Sequence, residues 1–253
     1  MPRTPRKQSV SGIHHVMARG IDKRNIFLKE GDYSKFLSIL LHTQQKYPLK
    51  IYAYCLMCNH FHLLVQPQVD ELGTAIQRIT TAYAVYHNQT HQRFGHLFQN
   101  RFKSEPIDGD EQFLTVLRYI HQNPIKAQLV DDMRDYPWSS FHVYAGNSSV
   151  TSNASLVATD FARDLVGNSS KLLEFFEIPT EHKCLDIGIT APLDDAELNF
   201  AIQSIISIEG LHELPKNERD NFLRLIKSKT GASNRRLAQI LDISPRLLDR
   251  ILR

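Results

Sequence analysis

Ile51-Tyr52-Ala53-Tyr54-Cys55-Leu56-Met57-Cys58-Asn59-His60-Phe61-His62-Leu63-Leu64-Val65 is the stretch on which the reading of the fold turns. It reads as a strand, a brief interruption and a second strand. Side chains alternate along a strand, so His60 and His62 share one face while Phe61 and Leu63 point to the opposite, buried one. Two imidazoles side by side can hold one metal ion. The same three residues also suit a half-exposed strand with no ligand, and a motif this short does not choose between the readings.

Working outward, Pro67 closes the strand pair. On the N-terminal side, residues 12–20 give a short strand that ends at Gly20, with His15 and Arg19 on a common face because they are an even number of residues apart. Residues 32–47 repeat apolar side chains at helical spacing and stop at Pro48. On the C-terminal side, residues 70–91 predict a long amphipathic helix lined by Leu72, Ile76, Ile79, Tyr83 and either Tyr86 or His87. A polar connection over 92–100 and a short strand over 102–107 follow. Asp110 caps a further helix through Phe113, Leu117, Tyr119 and Ile120, expected to end before Pro124. The order predicts an α+β fold: a ferredoxin-like antiparallel sheet with helices on one face.

The net charge of +3 hides an uneven distribution. Residues 1–50 carry ten Lys/Arg against three Asp/Glu, hence +7, and the remainder is −4. A concentrated basic region suits a polyanion such as nucleic acid, and it equally suits a solubilising surface. No apolar run approaches the ~20 residues that cross a bilayer, and residues 1–7 lack the apolar stretch of a signal peptide, so a cytoplasmic protein with no membrane partner is expected. Three cysteines make no disulfide framework, in keeping with a reducing compartment. Cys55 and Cys58 form a Cys-x-x-Cys beside the histidines, but Cys55 stands where an apolar strand residue is expected, whereas structural zinc ligands usually come from turns.

The organisation expected from these patterns is a flexible basic arm over 1–9, a catalytic domain over 10–146, and a linker over 147–155. A helical region of unassigned role over 156–212 and a C-terminal extension over 213–253 complete it. The segment around Trp138 gathers aromatic residues and reads as a lid over one edge of the core. In the extension, a helix over 235–241, a turn, and a helix starting at Pro245 resemble a helix-turn-helix that presents Arg246 and Arg250 on one face. An ordinary helical hairpin has the same pattern.

Arg118-Tyr119-Ile120-His121-Gln122-Asn123-Pro124 supplies the chemistry. Tyr119 and Asn123 are four apart and share a helix face. If that face meets the histidines, a phenol nucleophile, two imidazoles and an amide oxygen surround a divalent metal. Such a set suits covalent cleavage of a phosphodiester. Tyr83 and Tyr86 are rival phenols that help form the apolar side of their own helix and read as packing residues. Arg93, His96, Arg101 and Lys103 are candidate phosphate contacts, or simply solvated charges.

Five blocks now stand in order: His15-Val16 with Arg19-Gly20; Asn59 to Val65; Gly95-His96-Leu97-Phe98-Gln99-Asn100-Arg101-Phe102-Lys103-Ser104; Tyr119 to Ala127; and Trp138-Ser139-Ser140. Together they resemble the REP-associated tyrosine transposases, which belong to the single-tyrosine group with a His-apolar-His (HUH) motif. The resemblance implies cleavage and rejoining of single-stranded DNA at hairpins of repetitive extragenic palindromes. It implies Tyr119 as nucleophile, His60 and His62 as ligands of Mg²⁺ or Mn²⁺, and Asn123 where relatives often place Gln as a third ligand. Arg19, Arg24, Arg93, His96, Arg101, Lys103, Arg246 and Arg250 are the expected DNA contacts. No obligate protein partner is expected, and a monomer is favoured over a dimer. Where the family usually has Met-Pro-Asn-His, this chain has Met57-Cys58-Asn59-His60. A catalytically silent hairpin-binding regulator is the alternative.

Overall fold

The structure is a computed structural model; it describes residues 9–68, 71–146, 154–180, 184, 198–199, 202, 208–230 and 234–251. The expected arm over 1–9 lies outside these residues except for Ser9, and the expected linker lies outside them except for its last two residues.

The first compact unit comprises Met1–Asn123 and Pro137–Asp186. Its strands are β1 (Ile13–Arg19), β2 (Leu49–Met57), β3 (His60–Pro67) and β4 (Lys103–Ile107). All pairings are antiparallel, in the order β2-β3-β1-β4, which is that of a ferredoxin-like sheet. Helix α1 (Glu30–Lys46) links β1 to β2, and α2 (Leu72–Thr90) links β3 to β4. Each buries the stripe its sequence predicts. In α2 this is Leu72, Ala75, Ile76, Ile79, Tyr83 and His87, so His87 rather than Tyr86 faces the core.

The two sides of the sheet differ in chemistry because the strands alternate. On one side Phe61 meets Phe36 of α1 with ring centroids 4.8 Å apart, and Phe36 meets Tyr83 of α2 at 5.1 Å. The two crossover helices therefore share one face, as expected. Helix α3 (Asp110–Lys126), which follows β4, lies on the other, with Phe113 against Tyr52 of β2 at 5.2 Å and Tyr119 against His62 at 5.8 Å.

Helix α3 does not end before Pro124; it runs through it to Lys126. Proline brings no N–H to the carbonyl four residues back and should interrupt the ladder. The Asn123 side chain compensates, its Nδ2 donating to the carbonyls of Tyr119 (2.9 Å) and Ile120 (3.5 Å).

The outer edge of β2 is covered. The Trp138 carbonyl accepts the Leu56 N–H at 2.9 Å, the Ser140 N–H donates to the Tyr54 carbonyl at 3.0 Å, and the Ala158 N–H donates to the Ile51 carbonyl at 2.8 Å. Trp138 itself stacks on Tyr33 at 4.5 Å. Beyond it come α4 (Phe141–Tyr144), α5 (Asp160–Val166) and α6 (Ser169–Glu177). The first unit therefore continues past the expected boundary at 147–155. Phe161 packs on Phe113 at 4.7 Å, Phe176 packs on Phe141 at 5.5 Å, and Gln122 of α3 donates to the carbonyls of Phe176 and Ile178 while accepting the Thr180 N–H.

The second unit comprises Pro124–Tyr136 and Ile187–Arg253. It contains α7 (Ile208–Glu213), α8 (Lys216–Thr230), α9 (Asn234–Ile240) and α10 (Pro245–Ile251). Leu223, Ile226, Leu237, Ala238, Leu241, Leu248 and Ile251 belong to one apolar core. Asp242, in the turn between α9 and α10, takes a positive φ of 49°, a conformation that Asp tolerates better than most residues. Asn234 Nδ2 donates to Asp249 Oδ1 at 2.8 Å, tying the two helices together. Among the described residues no helix is long and apolar enough to cross a membrane.

His87 makes the fold sensitive to acid. It is fully buried and neither ring nitrogen has a hydrogen-bond partner. Burial above all, with His91 and Arg93 adding to it against the pull of Asp32, lowers its pKa to about 4. The unfolded chain, with the ordinary pKa near 6.5, binds more protons between these values. This contribution is therefore complete above pH ~6.5 and is lost as pH falls towards 4, by up to about 1.4 kcal/mol per pH unit at the steepest. Urea unfolding at pH 7 and pH 5 should show a loss to which each buried histidine of lowered pKa contributes, and His87→Leu should make it smaller by one histidine's share.

Candidate active site

The His-apolar-His strand is the centre of its sheet face. Strand β1 pairs with β3 so that Met17 lies opposite His62, Arg19 opposite His60 and His15 opposite Leu64. Directly opposed residues project to the same side, so His15, Met17 and Arg19 join His60 and His62 on the face covered by α3. The His60 and His62 rings are 5.0 Å apart between centroids and nearly perpendicular.

Each ring has one nitrogen engaged. His60 Nδ1 lies 2.5 Å from Asn59 Oδ1, an oxygen that can only accept, so the ring proton is on Nδ1 and the Nε2 lone pair is available. His62 Nδ1 lies 2.9 Å from His15 Nε2, and His62 Nε2 is buried with no hydrogen-bond partner. Burial lowers the pKa of all three imidazoles. His62 falls to about 3 from desolvation alone; His15 falls well below its usual value with His62 adding to the effect; His60 does likewise with His62 and Arg19 adding. Neutral imidazoles are the form a metal requires.

Tyr119 closes this group from α3. Its ring lies edge-on to both His15 and His62, at 5.9 and 5.8 Å, and is almost wholly buried. Asn123, one turn further, is also fully buried; its Nδ2 serves its own helix, and its Oδ1 has no hydrogen-bond partner. The donor set fits a hard-to-borderline divalent cation: an Nε2 lone pair on His60, an unpartnered Nε2 on His62 and an unpartnered amide oxygen on Asn123. Among the described residues no three His, Cys, Asp or Glu side chains gather to hold a metal. The two nearby cysteines diverge. Cys55 shares the His62 side of the sheet and is buried, which pushes its thiol pKa up, whereas Cys58 accepts the hydroxyl of Tyr33 on α1.

The rival phenols are on the other side of the sheet. Tyr83 donates to the Ile26 carbonyl at 2.5 Å, and Tyr86 donates to Asp32 at 3.2 Å. Burial and the Asp32 charge both raise their pKa values, which keeps them protonated.

The expected DNA contacts are spread over several places. Arg19 is on the histidine face with its Nε buried and unpartnered, and Lys103 shares that face through its pairing with Met17. Arg24 is exposed just beyond β1. Arg101 lines a cleft of about 620 Å³ with Thr74 and Gln77 of α2 and with Phe98 and Asn100, on the crossover-helix side. Arg93 and His96 are in the preceding loop, half-buried and exposed respectively. That loop is held to the end of β1 by the Ile21 N–H to the Leu97 carbonyl and the Gln99 N–H to the Arg19 carbonyl, both 2.9 Å. Arg246 and Arg250 are exposed on α10 of the second unit.

Gly20 makes this turn possible. A Cβ there would lie 2.0 Å from the Arg24 carbonyl oxygen, so the turn between β1 and the loop must open to admit any side chain. Gly20→Ala should cost about 1–3 kcal/mol, the usual scale for overpacking, read as a lowered urea midpoint.

Two residues of the helix motif act in architecture. His121 Nε2 is 2.7 Å from Ser140 Oγ, which docks α3 on the segment covering β2, and Gln122 clamps residues 176–180. The residue to which sequence reasoning gave no role is His15; its shared face with Arg19 and its place in the first of the five blocks were the signals.

Residues 9–123 match the family described as Transposase IS200 like. A REP-associated tyrosine transposase of Haemophilus influenzae is 32% identical over 123 residues, 44% of this chain and 70% of the relative. The chain belongs to this transposase family. The match also covers a solved REP-associated tyrosine transposase bound to a REP hairpin, with a TM-score of 0.51 and 17% identity over 74% of this chain and all of the other; at that identity the fold is what the two share. The family match ends at Asn123, so it takes in β1 to β4, both histidines and Tyr119, and stops short of the α9–α10 pair.

Proposed function

We propose that this transposase cleaves and rejoins single-stranded DNA at palindromic hairpins through a covalent bond to Tyr119. The observation that carries the reading is the placement of the Tyr119 ring against His15 and His62, on the one sheet face where neutral imidazoles with available nitrogens gather. In the cleavage step the Tyr119 oxygen bonds to phosphorus as the P–O bond to one DNA end breaks, and the proton the phenol gives up is matched by the one the leaving oxygen takes up to depart as a hydroxyl. The phosphotyrosine conserves the phosphodiester bond energy, so a DNA hydroxyl can reverse the attack and rejoin strands without ATP.

His60, His62 and Asn123 would hold the Mg²⁺ or Mn²⁺. Such an ion polarises a phosphoryl oxygen and offsets charge developing on phosphorus. Asn59 orients His60, and α3 holds the Tyr119 ring edge-on to His62. Arg19 and Lys103 supply positive charge on the same face for the scissile phosphate. Arg24, Arg93, His96 and Arg101 extend the basic surface along the flanking strand, and α9–α10 acts as a helix-turn-helix whose Arg246 and Arg250 meet DNA. The relative bound to a REP hairpin supports that substrate class. The protein works in the cytoplasm as a monomer.

The test is a denaturing gel of end-labelled hairpin DNA, taken from repeats flanking its own gene, incubated with the protein and Mn²⁺. A metal-dependent protein–DNA adduct is expected. Tight binding without an adduct would replace this reading with that of a hairpin-binding regulator.

A further inference from the structure

We infer that His15 is a positioning residue for His62, setting which of its nitrogens is offered to a divalent cation; this rests on the proposed ligand role of His62. The two rings are fully buried, stacked at 5.1 Å between centroids with 28° between their planes, and joined by a single hydrogen bond of 2.9 Å from His15 Nε2 to His62 Nδ1. Each neutral imidazole carries one proton, so the bond exists in two forms. In one, His15 Nε2–H donates to His62 Nδ1, and the proton of His62 then sits on Nε2, where no lone pair remains for a cation. In the other, His62 Nδ1–H donates to His15 Nε2; His62 Nε2 is then a bare lone pair, and the proton of His15 sits on Nδ1.

Either form leaves one N–H without a protein acceptor, since His62 Nε2 and His15 Nδ1 both lack hydrogen-bond partners. No protein group among the described residues relieves either form. A cation on His62 Nε2 selects the second form, and both rings become Nδ1–H tautomers together. Removing the His15 acceptor leaves the His62 Nδ1–H buried without a partner in the form the cation needs. That penalty appears as lost cation affinity. The other candidate ligand, His60, takes the same orientation from a different source, Asn59 Oδ1.

Two measurements test this without DNA, and so stand apart from whether a Tyr119 adduct forms. The first is Mn²⁺ affinity by electron paramagnetic resonance. His15→Leu, which keeps the bulk but has no acceptor, should weaken binding by about 10–100-fold, the scale for groups that orient metal-bound histidines. His15→Gln, whose amide oxygen can accept from His62, should recover part of it. The second is long-range proton–nitrogen NMR of the wild-type rings with and without saturating Mg²⁺, which needs no variant to fold. His15 and His62 should both read as Nδ1–H in the presence of Mg²⁺. The inference is overturned if the wild-type chain takes up no Mn²⁺, if His15→Leu binds it as the wild type does, if His15→Gln is no better than His15→Leu, or if His62 keeps its proton on Nε2 in Mg²⁺.

Discussion

Tyr119→Phe should form no covalent adduct with hairpin DNA while binding it as the wild type does. The substitution keeps the ring whose edge meets His15 and His62 and removes one oxygen, so the fold and the histidine pair should persist. A phenol has an unperturbed pKa near 10 and is a weak nucleophile in neutral water; here it would act because the site pre-places it and compensates the charge it develops. The alternatives are separable. Tyr83 spends its hydroxyl on the Ile26 carbonyl, Tyr86 faces Asp32, and both are across the sheet from the histidines. Tyr83→Phe and Tyr86→Phe should therefore leave adduct formation within about twofold of wild type, the rate change of well under 1 kcal/mol. An adduct that survived Tyr119→Phe would move the nucleophile elsewhere and dismantle the proposed mechanism.

His60→Ala gives the second large effect, on rate. His60 is only half-buried, unlike His62, so its truncation leaves a smaller cavity and spares the core. Loss of one of the two proposed imidazole ligands should slow single-turnover adduct formation about 10²–10³-fold, the scale of removing one preorganised electrostatic contact at a reacting centre. Hairpin binding without metal should be unchanged, because phosphate and base contacts carry it. Raising Mn²⁺ should restore part of the rate if His62 and Asn123 still hold the ion. A wild-type rate in His60→Ala would take this histidine out of the reacting centre.

Much of this was legible along the chain. The alternation around His60-Phe61-His62 assigned both the strand and the face, and the four-residue step from Tyr119 to Asn123 put both on one side of α3. Of the short helices of the C-terminal extension, one starts at the expected Pro245 and the other at Asn234, one residue before the expected 235. The parts that escaped are those decided by contacts between distant segments. Pro124 reads as a stop; that α3 continues through it depends on the Asn123 amide folding back on its own helix. His15 reads as one more strand residue until the β1–β3 register brings its ring to His62, 47 positions away. Residues 156–180 carry no chemical signature, and their place in the catalytic unit comes from Phe161 and Phe176 filling aromatic gaps left by α3 and α4.

The segment running beside β2 also bears on how copies of this transposase can meet. A sheet with an open edge invites a second molecule to extend it strand by strand. On the β2 side that invitation is withdrawn, because the Leu56 N–H and the Tyr54 and Ile51 carbonyls are already spent on Trp138, Ser140 and Ala158. On the β4 side the strand is five residues long, carries Lys103 and Glu105, and includes Pro106, which has no N–H to give. Neither margin suits a merged sheet, so the strand edges of the described unit are poor places for two copies to meet.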